Sequence, residues 1–280
     1  MKYLRKLSAL LCLLLSVSAL SHAQTPKGHL VIIGGGGRTE AIDQALVNLS
    51  GGADARMLVI STAGANPAKD GEKFIKEMKK AGIKKLAWIA PTRAESENPD
   101  YVKKALEGVG GVFFTGGQQG RIIDTLRGTL LHRQLYRLYE EGGMIGGTSA
   151  GAAMMSEVMI TGGRTDHSDE GFKSISRNIV RWTEGMGFIQ DVIIDQHFLK
   201  RSRENRLFSI AFDHPEAVCI GIDEATSIVV SNGADLEVVG RSSVMVIEPD
   251  PASVKVSARG DYGGQARVLL LFEGDRYHVK

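Results

Sequence analysis

The amino-acid sequence predicts an α/β fold, a three-layer sandwich in which a mostly parallel sheet lies between two layers of helices. In the first half of the chain, nearly continuous apolar runs alternate with amphipathic helical patterns, which is typical of a parallel sheet covered on both faces. After about residue 185 the apolar runs follow one another closely, so strands and hairpins are expected there. No low-complexity linker interrupts residues 24–280, which we expect to form a single domain.

Five strands, each followed by a helix, are predicted in the first half. The strand runs are HLVIIGG, RMLVIST, KKLAWIA, GVFFTGG and MIGG. The helical patterns that follow them, in the same order, are EAIDQALVNL, GEKFIKEMKKAG, YVKKALEG, QGRIIDTLRG and AGAAMM. The second half predicts a strand in FIQDVIIDQHF, a charged helix around RSRENRLFSIAF, and strands in AVCIGI, TSIVV, LEVV, SVMVIE and RVLLLF.

The first 23 residues have the anatomy of a secretory signal peptide. A basic start precedes an apolar segment, and small residues lead to a cleavage site after Ala23. The apolar segment is shorter than the roughly 20 residues that a membrane-spanning helix needs, which disfavours an anchor. We therefore expect a mature chain that begins at Gln24, is secreted or periplasmic, and has no membrane attachment.

The composition of the mature chain excludes several kinds of partner. The signal holds three of the 34 basic residues and none of the 32 acidic ones, so the mature chain carries 31 against 32, a net charge of −1. A near-neutral chain predicts no nucleic-acid or anionic-membrane partner. Cys219 is then the one remaining cysteine, so no internal disulfide can form, and its apolar surroundings predict a core position. The oligomeric state stays open, and a homodimer is compatible with these features.

Four glycines, Gly34 to Gly37, follow the first predicted strand, but they do not form a dinucleotide-binding fingerprint. Thr39 stands where the third glycine of that fingerprint belongs, and the second strand ends in Ser61 and Thr62 without a carboxylate for a ribose. A tight strand-to-helix turn accounts for the glycines. No cluster of His, Cys, Asp and Glu has the spacing of metal ligands, so neither a metal nor an organic cofactor is predicted.

The stretch GGTSAGA places a serine between glycines where a strand turns into a helix. Its pattern, Gly147-x-Ser149-x-Gly151, fits the nucleophile elbow, a sharp turn that lifts a serine hydroxyl above the end of a sheet. The start of the next helix directs N–H groups toward a developing oxyanion. The alternative is an ordinary turn in which the serine caps the helix.

A nucleophilic serine needs an imidazole base and a group that orients the imidazole. Of the seven histidines, His167 and His197 remain as candidates, and His197 closes the strand VIIDQHF, at the edge where the elbow opens. Its alternative role is that of a strand-end histidine bonded to the backbone. In GIDEAT, Asp223 and Glu224 lie on opposite faces, so only one of them can orient His197, and alternation does not decide which. The chain order of serine, histidine and acid disfavours a lipase or esterase.

Four stretches taken together carry a resemblance to a known family: FFTGGQQGRI, IGGTSAGAAMMS, VIIDQHFLKRSRENRL and GIDEATSIVV. They resemble the cyanophycinase group of serine peptidases, which is related to the aspartyl dipeptidases and has a class I glutamine-amidotransferase-like fold. The resemblance covers most of the mature chain. It implies Ser149 as nucleophile, His197 as base and Glu224 as the residue that orients it, with an oxyanion hole formed by the Gly117 and Ala150 N–H groups.

The resemblance also implies a substrate and the residues that hold it. Cyanophycinases cleave multi-L-arginyl-poly-L-aspartate to β-aspartyl-arginine dipeptides. The residues implied in substrate binding are Gln119, Asp195, Gln196, Arg201, Arg203 and Arg206. An aspartyl dipeptidase of the same fold and a non-catalytic binding protein are the alternatives. The three arginines favour the polymer, and the complete set of Ser, His and Glu favours an enzyme.

Two parts of the chain near the implied site lead to further expectations. The stretch GGRTDHSDEGFKSISR departs from the family pattern, so substrate contacts by Asp166, His167 or Asp169 stay open. Arg203 and Arg206 fall near the expected start of a helix, where positive charge is unfavourable. We expect them to converge on a substrate carboxylate, so that Gln at either position lowers activity without lowering thermal stability. The alternative is a solvated helix face.

Overall fold

An eight-stranded sheet forms the centre of the computed structural model, which describes residues 25–167 and 171–279. In the first half of the chain, five strands alternate with helices, as the sequence predicts. The elements are β1 (His29–Ile33), α1 (Glu40–Leu49), β2 (Arg56–Ile60), α2 (Pro67–Lys80), β3 (Lys85–Ile89), α3 (Arg93–Glu97), α4 (Pro99–Leu106), β4 (Val109–Phe114), α5 (Gln119–Leu126), α6 (Leu130–Glu140), β5 (Met144–Thr148) and α7 (Ala150–Ala153).

The second half consists mainly of strands, again as predicted, with one longer helix. These elements are β6 (Val158–Arg164), β7 (Val180–Glu184), β8 (Val192–Gln196), a 3₁₀ turn (Leu199–Arg201), α8 (Glu204–Asp213), β9 (Val218–Ile222), β10 (Thr226–Ser231), β11 (Asp235–Gly240), β12 (Val244–Pro249), a second 3₁₀ turn (Pro251–Ser253), β13 (Lys255–Val256), β14 (Tyr262–Gly263), β15 (Ala266–Leu271) and β16 (Arg276–His278).

The strand order of the main sheet is β16-β11-β10-β1-β5-β4-β2-β3. The five strands from β1 to β3 in this order are parallel, and β10, β11 and β16 extend the sheet antiparallel. The carboxyl ends of β1, β4 and β5 therefore meet at one edge. The predicted α/β class with a mostly parallel sheet is confirmed.

Side chains of the parallel strands alternate between two cores, which accounts for the continuous apolar runs. Val31 and Ile33 of β1 pack in the core that lies under α1 and α2. Leu30 and Ile32 face the opposite core, which includes Leu135 of α6. Burial on both faces fixes helices on each side of the sheet.

Strands β8, β9, β12 and β15 form a second sheet, in which β8 and β9 run parallel. The sequence analysis placed the end of β8 at the same sheet edge as the elbow, whereas β8 belongs to this second sheet. The difference has a physical reason: β8 is buried on both faces, with Ile194 in the large core and Ile193 under α8, so its apolar run resembles that of a main-sheet strand. Cys219 of β9 is fully buried, as predicted.

The polar stretch after α7 is more regular than its composition indicates. Its first residues, Gly162 to Arg164, end β6, which pairs antiparallel with β7. Asp169 lies outside the described residues, as does the expected signal peptide, residues 1–23. Within residues 25–167 and 171–279, none of the helices is both long enough and apolar enough to cross a bilayer.

Candidate active site

Ser149 lies at the sharp turn between β5 and α7, with φ 53° and ψ −108°. Its backbone N–H donates to the carbonyl oxygen of Ile33 at 3.1 Å. A Cβ atom at Gly147 would overlap the backbone of Gly151, and one at Gly151 would lie 2.8 Å from Phe114 Cβ and overlap the Phe114 carbonyl. The two glycines that flank the serine are therefore sterically required, because other chain segments occupy the space of their missing side chains.

Ser149, His197 and Glu224 form a continuous hydrogen-bonded chain. His197 Nε2 lies 2.9 Å from Ser149 Oγ, and His197 Nδ1 lies 2.6 Å from Glu224 Oε1. Because a carboxylate only accepts hydrogen bonds, Nδ1 carries the proton and Nε2 is left to accept the serine hydroxyl. This is the arrangement that activates a serine nucleophile.

The two acids that strand alternation left undecided have different partners in the structure. Asp223 Oδ1 accepts the backbone N–H of Lys200 at 2.9 Å, and Asp223 Oδ2 accepts the hydroxyl of Ser242 at 2.8 Å. Burial alone would raise the pKa of Asp223, but its hydrogen bonds outweigh burial and the pKa is lowered. Asp223 therefore fixes the segment after β8, while Glu224 faces His197.

The glycine run after β1 contacts the histidine and the glutamate directly. The carbonyl oxygen of Gly34 accepts the N–H of His197 at 2.6 Å, and that of Gly35 accepts the N–H of Ala225 at 2.9 Å. His197 and Ala225 both have positive φ, 49° and 54°, and these backbone bonds hold them in that strained conformation. Sequence reasoning explained the glycines only as a tight turn and missed this role.

Gly35 and Gly36 leave room for the two side chains of the site. A Cβ atom at Gly35 would lie 2.5 Å from His197 Nε2, and one at Gly36 would lie 2.9 Å from Glu224 Cβ. Gly35 also has φ 110°, which residues with a side chain rarely adopt. The run of glycines was the available sequence signal, but only the fold shows what lies against it.

We expect Gly35→Ala to lower kcat/KM about 100-fold, because a displacement of about 1 Å at a catalytic group can cost that much. The added methyl group would push the His197 ring away from Ser149. Gly37→Ala is the matched control, since no atom lies within 4 Å of a Cβ atom there. Steady-state kinetics of both variants test this. Equal activities would show that His197 does not act from the position described.

Burial lowers the pKa of His197 below its ordinary value of 6.5. The hydrogen bond to Glu224 opposes that shift, and the positive charge of Arg201 adds to it. The net lowering keeps the imidazole neutral at neutral pH, as a general base requires.

The pH dependence of kcat/KM should therefore follow the lowered pKa of His197. Neutral imidazole is the active form, so activity falls on acidification as the pH drops through the lowered pKa, and the midpoint of this fall is expected below pH 6.5. Kinetics between pH 4 and 9 test the direction of the His197 pKa shift. Circular dichroism at each pH is the control for unfolding. A midpoint of the acidic limb above pH 6.5 would contradict it.

The two N–H groups expected in the oxyanion hole belong to the residue after Ser149 and to the turn after β4. Ala150 is the first residue of α7, so its N–H has no acceptor within the helix. Gly117 follows Gly116, and a Cβ atom at Gly116 would lie 3.8 Å from Ser149 Oγ. The turn that carries Gly117 therefore lies beside Ser149, and the role of both N–H groups remains a prediction.

The two glutamines expected to hold substrate differ in their hydrogen bonding. Gln119, at the start of α5, donates from Nε2 to the carbonyl oxygen of Ile160 at 2.9 Å, which ties α5 to β6. Gln196 precedes His197 and is 8% exposed. Its Oε1 is buried and has no hydrogen-bond partner among the described residues, so it has an acceptor to offer a substrate.

The buried residues Asp195 and Arg206 form a cluster with the half-buried Arg203, close in sequence to His197. Arg206 is 3% exposed and holds Asp195 with two hydrogen bonds, of which Nε to Oδ2 measures 2.8 Å. Arg203 Nη1 bonds to the carbonyl oxygen of Gln196 and lies 3.4 Å from Asp195 Oδ1. Burial and the nearby Arg206 lower the pKa of Arg203 to about 10.

This cluster differs from the expectation that Arg203 and Arg206 share a helix face turned toward substrate. Helix α8 begins at Glu204, Arg203 precedes it, and both guanidinium groups turn toward Asp195. The expectation that replacing Arg206 leaves stability unchanged is wrong in its premise, because the Arg206 side chain is buried and paired with Asp195. Any effect of Arg206 on substrate is now expected to act through Asp195 and the end of β8.

The remaining predicted residues lie at the surface. Arg201 ends the 3₁₀ turn after His197 and is exposed. Asp166 is bonded to Arg164, with Nε to Oδ1 at 2.9 Å, and His167 is exposed. Among residues 25–167 and 171–279, no three His, Cys, Asp or Glu side chains are placed to hold a metal ion.

Comparisons with known proteins give consistent matches. The model of Peptidase family S51 matches residues 30–238. Proteins named cyanophycinase from Geminocystis herdmanii and from a Nostoc species are 33% and 32% identical to this chain. Each match covers 91% of this chain, with 94% of the Geminocystis protein and 87% of the Nostoc protein.

Two solved structures share the fold. A peptidase from an acI-B1 Actinobacterium superposes with a TM-score of 0.66 at 23% identity, over 91% of this chain and 98% of its own. A Listeria monocytogenes structure described as a candidate peptidase E protein gives 0.52 at 13% identity, over 77% and 99%. With the sheet described above, these similarities are consistent with the class I glutamine-amidotransferase-like fold.

Proposed function

The chain belongs to peptidase family S51, and on that premise we propose that it hydrolyses multi-L-arginyl-poly-L-aspartate to β-aspartyl-arginine dipeptides through an acyl-enzyme. Its relatives named cyanophycinase support this substrate class. The observation that carries the proposed mechanism is the hydrogen-bonded chain from Ser149 through His197 to Glu224.

In the acylation step, Ser149 Oγ attacks a backbone carbonyl carbon of the polymer and His197 Nε2 accepts the hydroxyl proton. Glu224 holds the Nδ1–H of His197 and stabilises the imidazolium that forms. The N–H groups of Gly117 and Ala150 would stabilise the negative charge on the carbonyl oxygen. His197 then gives its proton to the leaving amine, and the C–N bond breaks.

The deacylation step repeats this proton transfer with water. His197 Nε2 removes a proton from a water molecule, the resulting hydroxide attacks the ester carbonyl, and Ser149 Oγ leaves with the proton from His197. The buried acceptor of Gln196, next to the base, offers a contact for the substrate backbone during both steps.

The assay that tests this proposal incubates the mature chain with the polymer and, separately, with Asp-X dipeptides, and identifies products by mass spectrometry. Release of dipeptides with the mass of aspartyl-arginine from the polymer is the expected result. Cleavage of Asp-X dipeptides with the polymer left intact would instead identify an aspartyl dipeptidase. A protein that cuts neither substrate and resists serine-directed probes would be a binding protein.

We also propose that the chain is exported and loses residues 1–23. The basic start, the apolar segment and the small residues before Gln24 support this. The intact mass of protein recovered from the exporting host tests it. A chain that begins at Gln24 is expected, and an exported chain that keeps Met1 would contradict it.

A further inference from the structure

A cavity of about 750 Å³ opens beside the nucleophile, on the side of the main sheet that α1 and α2 cover. Thr148, which precedes Ser149, and Gly116, which lies next to it, both line this cavity. A volume of this size is within the range of sites for small ligands. The cavity therefore adjoins the candidate active site, and Gly36, which lies against Glu224, also lines it.

Thr115, just after β4, brings an unused hydrogen-bonding group to this cavity. Phe113, two residues earlier, packs in the core under α1 and α2, so strand alternation turns Thr115 to the same side, and both residues line the cavity. Thr115 is 6% exposed, and its hydroxyl has no hydrogen-bond partner among the described residues. A buried hydroxyl without a partner costs free energy, which indicates a site where a polar ligand group completes the bonding.

Two opposite charges on α2 face the same space. Asp70 and Lys73 line the cavity and are three residues apart, on one face of the helix. Arg38, also in the wall, is already held by Asp43 at 2.5 Å and by Glu77 at 3.0 Å. Neither of those ion pairs involves Asp70 or Lys73, so this carboxylate and this ammonium group can meet a ligand that carries both charges. Glu40 and Lys80 line the same cavity and also stand outside those two ion pairs.

We propose that this cavity is a subsite for one arginyl unit of the substrate, with Asp70 binding the guanidinium group and Lys73 the arginine carboxylate. The inference rests on the proposed function, because each arginine of an aspartyl-arginine polymer bears both groups. The polymer backbone crosses the strand ends at Ser149. The arginine side chain of a unit next to the cleaved bond extends into the cavity. The hydroxyl of Thr115 then donates a hydrogen bond to the carboxylate of that arginine.

Two cavity variants and two matched controls on the same helix test this subsite. Asp70→Asn and Lys73→Met remove the proposed contacts, whereas Glu72→Gln and Lys76→Met make the same charge changes at exposed positions outside the cavity. Each cavity variant is expected to lower kcat/KM on the polymer about tenfold, the scale of one charge-assisted hydrogen bond. All four should react with a fluorophosphonate at the parent rate. Cavity variants as active on the polymer as the controls would overturn the inference.

Calorimetric titration with L-arginine separates this inference from the proposed function. The parent should bind L-arginine more tightly than agmatine, which lacks the carboxylate, or citrulline, whose side chain is an uncharged urea in place of the guanidinium group. Asp70→Asn should lose most of the L-arginine binding that Glu72→Gln retains, and Lys73→Met should no longer prefer L-arginine over agmatine. Equal L-arginine binding by Asp70→Asn and Glu72→Gln would overturn the subsite. A parent protein that leaves the polymer intact would overturn the proposed function. The titration would still show whether the cavity binds L-arginine.

Discussion

Replacing Ser149 with Ala is expected to lower kcat on the polymer by about 10⁴- to 10⁶-fold, the range seen when a member of a serine, histidine and acid triad is removed. The physical reason is that no other group in the hydrogen-bonded chain can form the acyl-enzyme. His197→Ala should lose about as much, because the serine hydroxyl then has no base. Residual activity would come from substrate binding and the oxyanion hole.

The double variant Ser149→Ala, His197→Ala distinguishes one catalytic unit from two separate contributions. Members of a single unit are strongly non-additive, so the double variant should be no less active than Ser149→Ala alone. Steady-state kinetics of the parent and the three variants provide the comparison, with circular dichroism as the control for folding. Multiplicative losses would mean that the two residues act independently, and His167 would then be the next candidate base.

Replacing Arg206 with Met is expected to lower the free energy of unfolding by about 3 to 5 kcal/mol, the cost of breaking a buried ion pair by removing one partner. Asp195 is 1% exposed, so the variant would leave its buried carboxylate with the N–H of Gln196 at 2.7 Å and with Arg203 as its one cation, at 3.4 Å. Arg201→Met is the matched control, because Arg201 is exposed in the same segment. Urea unfolding monitored by circular dichroism measures the difference.

The double variant Asp195→Leu, Arg206→Met tests the origin of this loss. Removing both charges leaves no uncompensated buried ion, so the double variant should recover stability relative to Arg206→Met. The activity of the double variant should be lower than that of the parent, because the Asp195–Arg206 pair fixes the end of β8 immediately before His197. If Arg206→Met unfolds at the parent's urea concentration, the buried pair does not stabilise the protein as described.

The parts of the fold that sequence reasoning predicted are those set by local pattern. The sequence of strand β1 is a continuous apolar run because Val31 and Leu30 face opposite cores. The parallel strands beside β1 are also buried on both faces. The local sequence of a strand does not determine which of the two sheets the strand joins. Ile193 and Ile194 of β8 are buried on opposite faces of the second sheet, so their sequence resembles that of a main-sheet strand.

The serine turn of the site could also be predicted from sequence, because the two glycines that it requires lie within five residues. Gly147 and Gly151 are needed by the turn that exposes Ser149, and their spacing is visible in the chain. The choice between Asp223 and Glu224 depends on contacts far along the chain. Ser242, 19 residues after Asp223, donates a hydrogen bond to the Asp223 carboxylate. Sequence periodicity does not predict such a contact.

The buried arginine shows why charge patterns predict poorly at this site. Arginine is rarely buried unless it is paired, so Arg206 was expected to face solvent or substrate. Its partner Asp195 lies 11 residues earlier, at the end of a strand whose neighbours are apolar. Only the packing of α8 against the second sheet brings the two side chains together.

The measurement that tests the central claim most directly is fluorophosphonate labelling of the mature chain, with the modified residue located by peptide mass mapping. The hydrogen-bonded chain from Ser149 to Glu224 predicts one adduct, on Ser149. It also predicts that labelling slows greatly in His197→Ala, because Nε2 is the base that activates Oγ. An adduct on another residue, or labelling of His197→Ala at the parent rate, would contradict the account.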